Sequence, residues 1–199
     1  MKLIPRLFAT PLAALVALAA CGDSTNLTAR FDTVEDTLSA FAISGTPRQF
    51  PSGLMLGAQS DADPGGEPVV LRVNEGFFFD VAFDLDDAGV AIVYPYRLVA
   101  SEFGEGKTGR VRVADEPYEA LERAPVGGYQ DTVAVSAPVG RTLVIESNGS
   151  NYCANDVVRT LYAKLTVDSV RTESREIFFR VRLDPNCGFR SFAPGLPAS

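Results

Sequence analysis

The fold of this chain is decided by the stretch Phe77-Phe78-Phe79-Asp80-Val81-Ala82-Phe83-Asp84-Leu85. Its odd-numbered residues are all large and apolar, so they share one face of an extended chain, and the aspartates share the other face. A period of two over nine residues is typical of a half-buried β-strand. Asp86-Asp87-Ala88-Gly89 then supplies turn residues, and the alternation resumes over 90–94 until Pro95. The pattern predicts a β-hairpin formed by 77–85 and 90–94, with Pro95 ending the pairing.

A second hairpin is predicted near the C-terminus, with its turn in the polar run Arg171–Arg175. Its inward positions are all apolar: Leu161, Ala163, Leu165, Val167, Ile177, Phe179, Val181 and Leu183. Shorter candidate strands lie at 37–43, 53–57, 69–73, 97–101, 108–114, 131–136 and 141–147. Short strands separated by Gly, Pro, Asn and Asp predict an all-β domain over 31–195, an antiparallel sandwich or barrel.

One segment has the pattern of a short connecting helix. Asp115 can cap it, Pro117 lies in its first turn, and Pro125 with Gly127-Gly128 ends it. We therefore expect about two helical turns here, linking strands.

The first twenty residues have the pattern of a secretory signal peptide. Lys2 and Arg6 precede an apolar stretch whose unbroken part, Leu12–Ala20, has nine residues. A membrane-spanning helix needs about 20 apolar residues, whereas a signal peptide needs roughly 7–15. The run Leu18-Ala19-Ala20-Cys21 resembles the lipobox of bacterial lipoproteins. The resemblance implies cleavage before Cys21 and attachment of a diacylglyceryl group, with palmitate-type acyl chains, to its sulfur. An ordinary signal peptide with an accidental cysteine is the alternative.

The resemblance also implies a location. Residue 22 is Gly rather than the aspartate that retains enteric lipoproteins in the inner membrane, although Asp23 follows. This favours the outer membrane over the inner one. The polar residues 21–30 read as a flexible tether of at most about 30 Å. The expected partners are the membrane, through the lipid, and an envelope protein or polysaccharide.

Two cysteines remain for the folded domain, Cys153 and Cys187. The second hairpin, centred near residue 173, brings Leu161 opposite residue 185, so both cysteines fall just beyond its open end. Exported proteins fold in an oxidising compartment. We therefore predict a Cys153–Cys187 disulfide, with two free thiols as the alternative.

Composition excludes several functions. The chain has no His, which excludes Ser-His-Asp catalysis, Cys-His catalysis and metal sites with His ligands. It also has no Trp. The net charge of −7 argues against nucleic acid as a partner. Gly104-Glu105-Gly106-Lys107-Thr108 ends like a phosphate-binding loop, but Ser101 replaces the first glycine and a strand pattern, not a helix, follows. We expect no nucleotide.

Acidic residues leave two alternatives open. Asp84, Asp86 and Asp87 crowd one turn and are weak candidates for a calcium site; otherwise we expect no cofactor. A hydrolase without histidine would need two facing carboxylates, and no sequence pattern selects such a pair. The favoured interpretation is a lipid-anchored module that has a binding or a structural role and is not an enzyme.

Charge is unevenly distributed along the chain. Residues 157–199 hold seven basic and four acidic residues, whereas residues 22–156 hold nine basic and twenty-one acidic residues. Part of the basic excess lies on the outward positions of the second hairpin. These positions form a candidate docking strip for anionic lipid, polysaccharide or an acidic partner: Tyr162, Lys164, Phe178, Arg180 and Arg182. A solvated face, or one covered by another element of the domain, is the alternative.

Overall fold

A computed structural model describes residues 28–58, 66–74, 79–100, 108–148 and 151–197. The predicted signal peptide, Cys21 and most of the predicted tether lie outside these residues. The strands are β1 Val34–Phe41, β2 Gly53–Ala58, β3 Glu67–Leu71, β4 Val81–Leu85, β5 Ala91–Pro95, β6 Thr108–Val113, β7 Val135–Ala137, β8 Thr142–Asn148, β9 Thr160–Arg171 and β10 Glu176–Asp184. A four-residue helix, α1, spans Tyr96–Val99, and a single 3₁₀ turn spans Asn151–Cys153.

The strands form two five-stranded antiparallel sheets. Sheet A has the order β1-β10-β9-β8-β6, and sheet B has the order β3-β2-β4-β5-β7. Apolar side chains from both sheets form one buried core, with Leu54, Phe83 and Val93 of sheet B meeting Ile145 and Phe179 of sheet A. The sequence prediction of an all-β antiparallel fold is confirmed, and the architecture is the sandwich rather than the closed barrel.

The first predicted hairpin is present as β4 and β5. Phe83 pairs with Val93 and Leu85 with Ala91. Gly89 has φ +77°, the left-handed conformation that the turn requires of it. Pro95 is the last paired residue of β5, as predicted. Regular pairing of β4 begins at Val81, and Phe77 and Phe78 lie outside the described residues.

The second hairpin is formed by β9 and β10, in the register that the sequence predicts. Leu183 pairs with Ala163 and Asp184 with Tyr162, so Leu161 would face residue 185. All eight predicted inward side chains are fully buried. A register shift between Phe178 and Phe179 interrupts the ladder.

Of the shorter candidates, five correspond to strands, 131–136 overlaps β7 only at its last two residues, and one is not a strand. The prediction of a strand at 97–101 is wrong, because α1 occupies this stretch. Tyr96 and Ala100 are both buried and lie four residues apart, which is the spacing of one helical turn. The amide of Ala100 donates to the carbonyl of Tyr96 and closes that turn.

The predicted helix after Asp115 is also wrong. Within 115–124 the helical pattern stops after one turn, in which the amides of Ala120 and Leu121 both donate to the carbonyl of Pro117. A second turn would need the amide of Ala124 to bond the Ala120 carbonyl, but that amide donates to the Arg190 carbonyl instead. The rest of the segment instead crosses the outer face of sheet A.

Candidate docking surface and the entry of the chain

The docking strip predicted from sequence lies on the outer face of sheet A. Lys164 pairs with Arg182 across β9 and β10, and Thr166 pairs with Arg180. The alternation therefore assigns these side chains to the correct face. Whether that face can meet a partner depends on what covers it.

Lys164 is covered and cannot take part in docking. Its side chain is only 2% exposed. Its ammonium donates to the carbonyls of Tyr118 at 2.6 Å and Leu121 at 3.0 Å, and it lies 4.4 Å from the centroid of the Tyr118 ring. Burial lowers the pKa of Lys164, as does the nearby Arg182. The interpretation of Lys164 as a docking residue is therefore wrong, since it holds a covering segment in place.

The covering segment, residues 114–124, is held down along its length and is called the cover segment below. Leu121 and Ala124 pack with Val144 and Phe192 in a small apolar cluster on the outer face. The amide of Ala124 donates to the Arg190 carbonyl, and the amide of Phe192 donates to the Glu122 carbonyl. The cover segment and the C-terminal stretch together shield this part of sheet A.

Arg180 and Arg182 are neutralised by partners within the domain. Arg180 bonds Glu119 of the cover segment at 2.6 Å and Asp168 of β9 at 3.1 Å. Arg182 lies 2.6 Å from a carboxylate oxygen of Glu35 on β1. Charge paired in this way attracts an external anion only weakly.

The two aromatic members of the strip are separated from each other. The guanidinium of Arg171 lies 4.6 Å from the ring of Phe178, near the hairpin turn. Tyr162 instead faces Tyr129 and Arg190, at 6.2 Å and 5.8 Å. Burial raises the pKa of Tyr162, and a hydrogen bond to Glu146 raises it further. The five residues therefore do not form one continuous accessible strip.

A polar group beside Tyr162 was not predicted from the sequence. Glu146 of β8 is buried and forms an ion pair with Arg110 of β6. It also accepts a hydrogen bond from the side-chain amide nitrogen Nδ2 of Asn148 at 2.9 Å. Asn148 in turn accepts from Thr160 at 2.6 Å. Alternation places all four side chains on the outer face of sheet A, but only cross-strand register, which the sequence does not give, brings them together.

The weak calcium candidates have structural partners. Asp84 accepts from Ser44 and pairs with Arg175 at 3.2 Å. Asp86 accepts from the amides of Ala88 and Val90, which closes the turn, and Asp87 is exposed. In the described part of the chain, one group of three acidic or thiol side chains lies close enough together to hold a metal ion: Cys153, Asp156 and Cys187. None of the three aspartates belongs to it. Its two sulfurs are joined to each other in a disulfide, so they are not thiolate ligands.

Three carboxylates of the described residues are buried, Asp80, Glu146 and Asp184, and each has different partners. Asp80 accepts from the amide of Leu56 at 2.7 Å and from the hydroxyl of Ser147. Glu146 pairs with Arg110, whereas Asp184 accepts from the amide and the side chain of Asn186. None of these contacts is the facing pair of carboxylates that a glycosidase-like hydrolase would use.

The predicted disulfide between Cys153 and Cys187 is present, with the two Cα atoms 5.8 Å apart. It joins the segments that lead into β9 and out of β10, at the open end of the second hairpin. We call this end of the sandwich the disulfide end, and the opposite end, where 172–175 turn, the hairpin end.

The chain enters the domain at the disulfide end. Asn186 accepts from the amides of Arg30 at 2.6 Å and Phe31 at 3.0 Å, and it donates to the Phe31 carbonyl at 2.8 Å. Thr33 donates to the carbonyls of Ala193 and Gly195. Sequence reasoning missed Asn186, because nothing in its local pattern marks it as the residue that fixes the entry point.

Comparisons with known proteins assign no family: no family model, no curated protein and no solved structure matches the chain. Among the described residues, no helix has the length and apolarity needed to cross a membrane.

Proposed function

We propose that the protein is a lipid-anchored lipoprotein of the bacterial cell envelope, whose β-sandwich acts as a non-catalytic binding or structural module. The observation that carries the proposal is the lipobox-like run Leu18-Ala19-Ala20-Cys21 at the end of a signal-type apolar stretch. One acyl chain gives marginal membrane binding, whereas two or more give stable anchoring. The lipid on Cys21 is therefore the main attachment, and Gly22 favours the outer membrane.

The disulfide supports export. Disulfides persist in the periplasm and at cell surfaces and are rare in the cytosol. The Cys153–Cys187 bond closes a sequence separation of 34 residues. By the chain-entropy relation, a loop of this length is stabilised by about 3–4 kcal/mol.

The non-catalytic role is supported by how the polar side chains are used. Lys164 holds the cover segment, Arg180 and Arg182 pair within the domain, and Asp86 closes a turn. Groups committed to such contacts are poorly placed to bind substrate or move protons. The partner we propose is an envelope protein or polysaccharide, held close to the membrane by a short tether.

The anchor is tested by comparing the native sequence with Cys21→Ser in the same bacterium. We expect the native chain to incorporate labelled palmitate and to partition into the detergent phase of Triton X-114, and the variant to lose both properties. The matched control is Cys153→Ser/Cys187→Ser, which removes the other two cysteines and keeps Cys21. Palmitate incorporation that persists in Cys21→Ser, or is absent from the native chain, overturns the proposal.

A further inference from the structure

The attachment point and the disulfide lie at the same end of the sandwich. Arg30 and Phe31 bond Asn186, which directly precedes Cys187. The amide of Gly188 then donates to the carbonyl of Thr160, where β9 begins. The entry of the chain, the end of β10 and the start of β9 are therefore neighbours.

The tether is shorter than the sandwich is long. Arg30 lies nine positions after Cys21, and this stretch of chain spans at most about 30 Å when fully extended. The twelve residues of β9 run the length of sheet A, which corresponds to roughly 36 Å at the usual rise of a strand. With a lipid from Cys21 in the bilayer, the tether is therefore too short for the sandwich to stand upright on its hairpin end.

Two apolar side chains are exposed at the disulfide end. Val157, between the disulfide and β9, is 88% exposed, and Leu196, which follows the Gly195 that bonds Thr33, is 59% exposed. The chain segments that carry or adjoin them expose two basic and two acidic residues: Arg30, Asp32, Asp156 and Arg159. Apolar side chains such as Val157 and Leu196 are suited to the interface between headgroups and acyl chains.

We propose that the disulfide end rests against the phospholipid bilayer, with Val157 and Leu196 reaching into its interfacial layer. This inference rests on the proposed anchor at Cys21. It assigns the hairpin end, with its acidic turn Asp86-Asp87, to the side facing away from the membrane, where a partner would be met.

A matched control residue is present at the other end. Val139 is 61% exposed, and its neighbour Gly140 donates to the carbonyl of Val167 on β9. Val167 lies seven residues along β9 from Thr160, which corresponds to roughly 23 Å. Val139 thus has the same side chain as Val157 and an exposed fraction close to that of Leu196, and it lies far from the disulfide end.

The test uses the lipidated full-length protein in vesicles of phosphatidylethanolamine and phosphatidylglycerol that carry a lipid-borne nitroxide quencher. Val157→Cys, Leu196→Cys and Val139→Cys are each labelled with a polarity-sensitive fluorophore, after a thiol count has shown one free thiol per chain. We expect quenching and a blue shift at positions 157 and 196 and neither at 139. Equal signals at all three positions, or a signal only at 139, overturn the proposed orientation.

Flotation of the same vesicles separates the two proposals. Protein that floats with unquenched labels at 157 and 196 retains the anchor and refutes the membrane-facing surface. Protein that does not float refutes the anchor and the orientation with it. Hydrogen exchange of the unsubstituted protein provides a second readout: residues 157–159 should exchange more slowly on vesicles than in the Cys21→Ser chain, whereas 172–174 should not change.

Discussion

The two faces of sheet A are buried by different kinds of interaction. On the inner face, Leu165 and Phe179 are fully buried among apolar side chains from both sheets. On the outer face, Lys164 is almost as buried, yet its contacts are two carbonyls and an aromatic ring. Adjacent residues of one strand, Lys164 and Leu165, therefore reach similar burial through a charge-assisted hydrogen-bond network and through apolar packing.

Burial alone therefore does not identify a residue as part of an apolar core. The inner face is stabilised by removing apolar area from water, which tolerates exchange between apolar residues of similar volume. The outer face has a small apolar cluster, but the buried Lys164 stabilises it only while its ammonium keeps its acceptors, since an unpaired buried polar group is costly. Substitutions on the two faces should therefore follow different rules.

The largest effect is expected on the inner face, from Phe179→Ala. Phe179 stacks on Phe83 across the two sheets, with ring centroids 4.7 Å apart. Loss of a fully buried Phe typically costs about 3–5 kcal/mol. Urea unfolding should show a free energy of unfolding reduced by about that amount. Phe50→Ala is the control, because Phe50 also stacks, on Phe41, but is half-exposed; an equal loss there would contradict the comparison.

The next effect is expected from Lys164, where the chemistry of the replacement matters. Lys164→Ala leaves the carbonyls of Tyr118 and Leu121 without their donor, at about 1–3 kcal/mol for each buried group that stays unpaired. The cover segment should also loosen, which faster tryptic cleavage after Arg123 would detect.

Lys164→Met distinguishes hydrogen bonding from packing at this position. Methionine retains most of the apolar stem but provides no ammonium. We therefore expect Lys164→Met to lower the free energy of unfolding nearly as much as Lys164→Ala does. Recovery of the native stability and of protease resistance in Lys164→Met would show that the outer face is packed like the inner one.

A smaller, pH-dependent effect is expected at Asp184, a fully buried outer-face residue that pairs with Tyr162. Burial raises the pKa of Asp184, against hydrogen bonds from Asn186 that lower it. A carboxyl whose pKa is higher in the folded than in the unfolded state contributes stability at low pH. That contribution is lost as pH rises through the folded pKa, with a slope of at most about 1.4 kcal/mol per pH unit.

Asp184→Asn should remove this slope. The measurement is the free energy of unfolding of both proteins from below the ordinary aspartate pKa upward to neutral pH. The difference between native protein and variant should change in favour of the variant as pH rises. A difference that does not vary with pH would contradict the assigned cost of burying this charge.

The smallest effect is expected from Arg180→Ala at the edge of the cover segment. Glu119 is exposed and Asp168 is partly exposed, and ion pairs at such positions contribute little to the free energy of unfolding because water screens them. The loss should shrink further in high salt, which screens exposed pairs. A salt-independent loss as large as that of Lys164→Ala would place Arg180 in the buried network.

Much of the fold could be predicted because it is encoded by local alternation. The inward and outward positions of β9 and β10 follow from apolar residues at every second place, and the hairpin register then places Cys153 near Cys187. The register of this hairpin can be predicted without knowing where the other strands lie. For the same reason alternation could assign Lys164 and Arg182 to one face without revealing that the cover segment lies over them.

The incorrect helix illustrates the same limit. Asp115, Pro117 and Pro125 fit the start and stop signals of a helix, but those signals describe only the ends. The carbonyls of Tyr118 and Leu121 are instead taken by Lys164, more than forty residues away in sequence. The conformation of the cover segment therefore depends on a contact with β9, which is distant in sequence. The entry of the chain depends in the same way on Asn186, which bonds residues 30 and 31.

The proposed anchor at Cys21 can be checked by intact-mass analysis of the protein purified from the membranes of the cells that produce it. We expect a chain that begins at Cys21 and carries the added mass of a diacylglyceryl group. A chain that still begins at Met1, or one cleaved at another position and carrying no fatty acid, would contradict the proposed anchor.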